Sequence, residues 1–280
     1  MTDRIVPMVI KRQVMELAES GKRTDGRSLT EARPLQIETG VIDKAEGSAT
    51  VLLGNTRVTT GVKFEIGTPF PDTPNDGVMS VSAEFVPFAS PEFETGPPDE
   101  NSVELARVVD RGLRESKLLD TSKLCIIPGK KVWIAWVDIY ILDHCGNLID
   151  AAALSALCAL LTSKMPEAVL DGENVTVTEN KLPVPLRDVP VNVTLAKIGD
   201  KLFVDPSLEE EEVMDCRLSI TFTQEKTEED GTVVPGKVCA TQKGFSGILT
   251  PEEVKRAFEI AKVKSQEWRK IVNSVVKTNG

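Results

Sequence analysis

The stretch that decides the fold is KVWIAWVDIYILDHCGNLIDAAALSALCALLTS, residues 131–163. Its first part, Lys131–Asp143, is rich in β-branched and aromatic residues and predicts a long strand. Gly146-Asn147 marks a turn, and Ile149–Ser163 is then dominated by alanine and leucine. A helix that is apolar on nearly every side is buried. This stretch therefore predicts a sheet and a helix that share one core.

The residues before this stretch predict a leading helix, a group of strands and a second helix. Residues 4–20 carry apolar side chains at helical spacing and end at Gly21. Turn residues separate four strand-like runs, which predicts a β-meander. Residues 102–119 follow the i, i+3, i+4 pattern of a one-sided helix. The four predicted strands are Leu35–Glu38, Ala49–Leu53, Thr56–Phe64 and Met79–Pro87.

The residues after this stretch repeat the order of sheet and then helix. Prolines mark a linker near residues 180–190, and a capping box at Thr250–Glu253 begins a final helix. The order occurs twice, so we predict an α+β chain of two related sheet-plus-helix layers with an N-terminal helix. The strands of the second layer are predicted at Val191–Lys197, Leu202–Val204, Val213–Thr223 and Val233–Thr241.

Composition narrows the classes of function. The net charge of −10 argues against a free-standing nucleic-acid binder, so any RNA contact must come from a local basic patch. A single histidine, His144, excludes schemes that need two histidines within this chain. The five cysteines form no CxxC pair, which argues against a disulfide framework and a structural zinc site. We predict no cofactor, no metal and no membrane association, and a cytoplasmic location.

Six segments in order along the chain carry a recognisable pattern: Thr24–Arg27, Lys44–Ala49, Pro69–Pro74, Gly96–Asn101, Glu104–Ser116 and Val204–Ser207. Together they resemble the RNase PH family over roughly residues 25–275. Within that family the chain is most similar to the non-catalytic ring subunit of the archaeal exosome.

The resemblance implies an RNase PH-like fold of the ribosomal protein S5 domain 2-like type. It implies domains at residues 25–182 and 190–280 after a helical extension, residues 1–24. The family's reaction is phosphorolysis, in which phosphate attacks the 3′-terminal phosphodiester of single-stranded RNA and releases a nucleoside diphosphate. The implied partners are a catalytic RNase PH-like exosome subunit, in a hexameric ring of three heterodimers, and cap subunits with S1 or KH domains.

The resemblance also predicts that the phosphate site is degenerate. Active relatives carry an arginine three residues before the glutamate of the long helix, and the matching position here is Asn101. They carry a Gly-Thr-Arg loop after the long strand, where this chain has Gly146-Asn147-Leu148. Two phosphate-binding arginines are thus absent, and each such contact contributes about 1.5–3 kcal/mol. We therefore predict a chain with no catalytic residues of its own.

The second half of the chain contains acidic residues at positions that match two aspartates of active relatives. Active relatives carry two aspartates there, and Asp215 matches the later one. The earlier one falls within Glu209–Glu212, in a register that the sequence leaves open by about two residues. We interpret Glu209–Glu212 as a solvated acidic turn rather than a magnesium site, because adjacent glutamates do not fix octahedral geometry.

Arg107, Arg111 and Arg114 lie on one stripe of the predicted long helix. This arginine stripe could bind RNA phosphates, because planar guanidinium groups suit bidentate phosphate contacts. The alternative is a salt-bridged surface, since acidic residues lie at helical spacing from all three arginines. The resemblance favours RNA binding, because this helix borders the heterodimer cleft in the family.

Three functions remain open. The first is a non-catalytic subunit that structures its partner's active site and binds RNA during 3′-to-5′ degradation. The others are an active phosphorolytic exoribonuclease and an unrelated acidic scaffold. Trp133, Trp136 and Tyr140 are interpreted as core or interface rather than a base-stacking platform. Trp136 and Tyr140 alternate with aliphatic residues in the long strand.

Overall fold

The computed structural model describes residues 8–172, 174–227 and 233–279. Within these residues the helices are α1 (Met8–Glu19), α2 (Glu100–Glu115), α3 (Leu148–Leu161), α4 (Leu208–Val213) and α5 (Pro251–Asn279). The strands are β1 (Leu35–Thr39), β2 (Gly47–Leu53), β3 (Thr56–Gly67), β4 (Val78–Phe85), β5 (Cys125–Ile127), β6 (Lys131–Asp143), β7 (Lys164–Asp171), β8 (Asn174–Pro183), β9 (Val191–Ile198), β10 (Lys201–Val204), β11 (Cys216–Phe222), β12 (Lys226–Thr227), β13 (Val233–Val234) and β14 (Val238–Gly244).

The first sheet is built around β6, the strand that the sequence predicts at its observed bounds. Its strand order is β1-β2-β3-β6-β4, and β5 pairs with β6. Strands β1, β2 and β3 form the predicted antiparallel meander, but the fourth predicted strand does not continue it. Instead β6 lies between β3 and β4, and β4 runs parallel to it, with Val81 opposite Val137. The four-strand meander prediction was therefore wrong in its last member.

The second sheet is antiparallel, in the order β10-β9-β11-β14. Helix α3 contacts both sheets and is buried on nearly every side, as its composition predicts. Helix α2 contacts β4 of the first sheet and β14 of the second, and α5 packs on β9 and β11. These contacts confirm the predicted α+β class with two sheet-plus-helix layers, and they place α2 and α3 between the layers.

Helix α1 packs on the second layer of its own chain. Its predicted range was 4–20, of which residues 4–7 lie outside the described residues. Val14 and Ala18 are 2% and 3% exposed, and they join a small apolar cluster with Ile198 and Phe203. The second sheet therefore covers the apolar stripe that the sequence predicts for this helix.

Helix α2 ends four residues earlier than predicted. The Lys117 backbone has φ 54°, and its N–H donates to the Arg114 carbonyl at 2.9 Å. The Leu118 N–H donates to the Leu113 carbonyl at 3.3 Å, which completes a Schellman motif. Leu118 is fully buried, so the turn directs the chain back into the core.

The second half differs from the sequence prediction in three places. The strand predicted at Val213–Thr223 begins at Cys216, because residues 208–213 form α4. The strand predicted at Val233–Thr241 divides into β13 and β14. The antiparallel hairpin β7–β8 was not predicted, and it extends to Pro183 within the predicted linker.

Candidate RNA-binding surface and degenerate phosphate site

The loop at the start of α3 corresponds to the predicted degenerate phosphate loop. Gly146 has φ 94°, and a Cβ there would lie 2.5 Å from the backbone of Ser207 and Leu208. Only glycine fits this close approach. Asn147, at φ 52°, is the residue that precedes the helix and is 1% exposed, whereas Leu148 is half-buried. The loop is therefore packed against the segment that begins α4.

A carboxylate of the chain itself accepts a hydrogen bond from this loop. The Asn147 backbone N–H donates to Glu211 Oε1 at 2.9 Å. The first amides of a helix, together with its dipole, form a natural position for an anion. Here Glu211 supplies that anion. Burial raises the pKa of the Glu211 carboxyl to about 7, against the opposing effect of the Asn147 hydrogen bond.

The Asn147 side chain points into the core and joins two buried aspartates. Its Nδ2 donates to Asp150 Oδ2 at 2.7 Å and to Asp205 Oδ1 at 2.8 Å. Asp150 also accepts from Asn192 Nδ2 at 2.6 Å and from the Thr194 backbone at 2.8 Å. Burial raises the pKa of Asp150 to about 7. Asn147 thus links the loop to the second layer.

Two of the sequence segments that carry the family resemblance meet at Asp205. Arg27 donates to Asp205 Oδ2 at 3.2 Å, and Arg33 donates to Asp205 Oδ1 at 2.7 Å. Although burial opposes its ionisation, Arg33 holds the pKa of Asp205 below its ordinary value. The same arginine donates to the Cys145 carbonyl at 2.7 Å. Arg33 and Asp205 together therefore hold the loop in place.

The interpretation of Glu209–Glu212 as a solvated turn was wrong for two of its four residues. Glu209 and Glu212 are exposed, but Glu210 is 1% exposed and ion-paired with the buried Arg23. The Arg23 Nε donates to Glu210 Oε1 at 2.8 Å. Glu211 faces Asn147, as described above. The segment is helix α4, in which the exposed Glu209 and Glu212 flank the inward-facing Glu210 and Glu211.

The other predicted site residues do not converge on this loop through any hydrogen bond within the described residues. Asn101 is exposed in the first turn of α2, and its Nδ2 donates to Asp99 Oδ2 at 3.2 Å. Asp215 accepts from Lys11 Nζ at 2.7 Å and from the Gly199 backbone at 2.8 Å. Asp215 therefore holds α1 and a strand turn together.

The arginine stripe lies on the solvent side of α2, and its members differ in their partners. Arg107 is exposed, and it has no hydrogen bond or ion pair within the described part of the chain. Arg111 donates to Gln242 Oε1 at 2.9 Å. Arg114 pairs with Asp110 at 2.6 Å, which raises the Arg114 pKa, and it also donates to the Met79 carbonyl at 2.9 Å. Of the salt bridges expected by spacing, only Asp110–Arg114 forms.

The glutamate expected beside Arg107 is paired elsewhere. Glu104 accepts from Arg217 of β11 at 2.7 Å. That ion pair ties α2 to the second sheet and leaves Arg107 available to a ligand. The core-or-interface prediction for Trp136 and Tyr140 also needs correction in its first part. Trp136 and Tyr140 are 37% and 39% exposed, so they do not belong to the core, and a role at an interface stays a prediction.

The fold and these motifs define a protein of the RNase PH class. The family model for 3′ exoribonuclease domain 1 matches residues 31–166, and the model for domain 2 matches residues 188–264. The chain therefore belongs to the RNase PH family of 3′ exoribonucleases. Within the part of the chain that the structure describes, no helix is long and apolar enough to cross a membrane.

Close relatives are archaeal exosome components of the ribosomal RNA-processing protein 42 type. The chain is 48% identical over 280 residues to the exosome complex component Rrp42 of Pyrococcus horikoshii, and 99% of this chain and 98% of the relative are covered. It is 49% identical over 258 residues to the Rrp42 of Methanothermobacter thermautotrophicus, with 92% of each protein covered.

Chains of solved archaeal exosome structures have the same fold as this chain. The chain superposes with a TM-score of 0.83 on a chain of the Archaeoglobus fulgidus exosome with RNA bound to the active site, at 43% identity, covering 94% of this chain and 97% of that one. It superposes with a TM-score of 0.81 on a chain of an archaeal exosome core, at 40% identity, covering 98% and 100%.

Sequence reasoning missed three charged residues at or near the loop and α4. Glu211, Asp150 and Arg23 were not singled out, although Arg23 and Asp150 lie beside motifs that were. A buried charge has no periodic signature of its own. The signal available was a charged residue inside an otherwise apolar helix, which describes Asp150 in α3.

Proposed function

We propose that this chain is a non-catalytic, RNA-binding subunit of an archaeal-type exosome. In this proposal it pairs with an active RNase PH-like subunit, three heterodimers form a hexameric ring, and S1 or KH subunits cap one face. The chain structures its partner's active site and binds single-stranded RNA during 3′-to-5′ phosphorolysis in the cytoplasm. Residues 25–182 and 190–280 form its two RNase PH-like domains, after the helical extension of residues 1–24.

One observation carries the non-catalytic part of this proposal. Phosphorolysis requires cations and backbone amides that hold an attacking phosphate against an anionic RNA. Here Glu211 already accepts the Asn147 amide, and a carboxylate in that position repels phosphate. Asn101 and Leu148 stand where active relatives have arginines. The loop thus lacks both of these arginines, and one of its amides is already occupied by a carboxyl group of the chain itself.

The arginine stripe supports the RNA-binding part. A chain of net charge −10 repels RNA unless cations are concentrated where the strand passes. Arg107 is unpaired within the described residues, and Arg111 is hydrogen-bonded to a neutral side chain only. Both guanidinium groups therefore keep their charge for an external phosphate.

Phosphorolysis assays test the proposal that the chain is non-catalytic. We expect the purified full chain to release no nucleoside diphosphate from RNA in excess phosphate. We expect release when the catalytic subunit of the same organism is added. Phosphate-dependent release by the chain alone would instead support the alternative, an active exoribonuclease.

The RNA-binding part is tested by charge reversal. The double variant Arg107→Glu, Arg111→Glu should leave the ring assembled, since both side chains lie off the apolar stripe. It should weaken RNA binding and slow degradation by the partner, and higher salt should reduce the difference. The control is Arg256→Glu, Lys270→Glu, which makes the same charge change at exposed positions of α5. Equal RNA affinity and salt dependence in both double variants would contradict the role of the stripe.

A further inference from the structure

A cavity of about 350 Å³ lies between the loop of residues 67–77 and the C-terminal end of α2. Its volume lies at the lower end of the roughly 300–1,000 Å³ range of small-ligand sites. Residues that matter for its chemistry are Phe70, Arg114, Lys117, Asp120, Thr121 and Arg187. Because Arg114 is also the last member of the arginine stripe, the cavity continues that stripe along the helix.

Hydrogen bonds between separate segments hold the walls of this cavity. The Gly77 N–H donates to the Thr121 carbonyl at 2.8 Å, which joins the loop to the 3-10 turn at Thr121–Leu124. Arg114 donates to the Met79 carbonyl at 2.9 Å, which joins α2 to β4. The Thr73 N–H donates to the Phe70 carbonyl at 3.1 Å within the loop. A ligand therefore meets a preformed cavity.

The cavity is lined by three cationic and two acidic side chains. Arg114, Lys117 and Arg187 line it, whereas its carboxylates are Asp76 and Asp120. Asp120 is 4% exposed and is neutralised by an ion pair with Arg187. Lys117 has no ion pair within the described residues, and the Schellman turn fixes its backbone at the cavity edge. One ammonium group is therefore available to a phosphate.

Phe70 gives the cavity an aromatic wall. Its side chain is 56% exposed, so the ring is accessible to a ligand. Base stacking on an aromatic side chain tolerates any base, because each base has a π-face. The hydroxyl groups of Thr73, Thr121 and Ser122 add polar contacts around the ring.

We propose that this cavity is a subsite for one nucleotide of the RNA strand that the arginine stripe holds. The base stacks on Phe70, and the phosphate of the same nucleotide contacts Lys117. This inference rests on the proposed RNA-binding function and extends it past Arg114. The subsite recognises a nucleotide by its base as well as by its phosphate, whereas the stripe recognises the backbone alone.

Two variants of the full chain test the subsite, Phe70→Ala and Lys117→Gly. Glycine suits the left-handed backbone at residue 117, so this change removes the ammonium group without straining the turn. Binding is measured by fluorescence anisotropy with a labelled oligoadenylate and with an abasic oligonucleotide of the same length. The controls are Phe88→Ala and Lys270→Gln, whose side chains are exposed and do not line the cavity.

We expect Phe70→Ala to weaken oligoadenylate binding about fivefold or more and to leave abasic binding unchanged. Lys117→Gly should weaken both and reduce the salt dependence, log K against log salt, by about 0.7. Parent-like binding by both variants, while the stripe variant binds weakly, would overturn the subsite and leave the proposed function standing. An equal loss on both probes for Phe70→Ala would overturn base stacking. No binding by any protein, the parent included, would overturn both proposals.

Discussion

The ion pair between Arg23 and Glu210 is a residue-scale contact that holds the segment after α1 to α4. Both side chains are buried, and Arg23 also donates to the carbonyls of Val204 and Asp205, at 2.6 and 2.8 Å. Removing one member of a buried pair leaves the other charge without compensation. We therefore expect Arg23→Ala to lower the free energy of unfolding by about 3–5 kcal/mol in urea titrations.

An exposed ion pair of the same chain provides the control for that change. Arg12 pairs with Glu16 at 2.8 Å, but the two side chains are 82% and 63% exposed. Surface pairs of this kind contribute at most about 1 kcal/mol. Similar losses of stability for Arg12→Ala and Arg23→Ala would show that burial does not decide the strength of the Arg23 contact.

Glu211 should make the stability of the chain depend on pH. The folded-state pKa is about 7, above the ordinary value of 4.5. Stability from the protonated carboxyl is thus fully present below pH 4.5 and is lost as pH rises through about 7. We expect the parent to lose on the order of 2 kcal/mol relative to Glu211→Gln between pH 5 and 8.

Denaturant titrations of both proteins at several pH values measure this difference. Glu209→Gln removes the same charge from an exposed position of the same helix and serves as the control. Parallel pH profiles for the parent and Glu211→Gln would show that the carboxyl at residue 211 is not perturbed by the fold.

The residue-scale prediction from sequence failed at Glu211 for a geometric reason. Successive helical residues are rotated by about 100°, so a register uncertain by two residues leaves the direction of each side chain undefined. Four consecutive glutamates offer no apolar contrast from which to set that register. A motif match was enough to predict that residues 101 and 148 are not arginines. The position of Glu211 against the loop could be found only from the tertiary structure.

At the scale of elements, local patterns were predicted well and distant pairing was not. The bounds of β6 and the burial of α3 follow from hydrophobic periodicity within each segment. The parallel pairing of β4 with β6 depends on contacts some 55 residues apart, such as Val81 with Val137, which no local pattern specifies. The end of α2 was missed because Lys117 occupies a turn position that usually signals itself by glycine.

At the scale of elements, the packing of helix α1 can be tested by substituting one of its buried residues. Val14 is 2% exposed against Ile198 and Phe203, so Val14→Asp should release the helix. The expected loss is about 1.5–3 kcal/mol, the value of one buried valine. Deleting residues 1–20 should likewise expose this cluster and weaken ring assembly, measured by mass in solution. Val9→Asp is the control, because Val9 is 76% exposed on the same helix.

At the scale of the whole molecule, charge and packing together predict that two substitutions alone do not give this chain phosphorolytic activity. The double variant Asn101→Arg, Leu148→Arg replaces both absent arginines. Residue 148 is the first residue of α3, where a cation opposes the helix dipole. The Asn147 amide still donates to Glu211, and Gly146 remains in contact with the backbone of residues 206–208.

We therefore expect no phosphate-dependent release of nucleoside diphosphate from the double variant, assayed as the isolated full chain with RNA. Each missing phosphate contact of about 1.5–3 kcal/mol corresponds to roughly a tenfold or hundredfold loss of rate, and the double variant leaves the occupied Asn147 amide unchanged. Adding Glu211→Ala to the double variant tests whether the Glu211 carboxyl also limits phosphorolysis, because this change removes the carboxyl from the loop. Phosphorolysis by the double variant alone would mean that the two arginines, rather than the occupied loop, separate this chain from its active relatives.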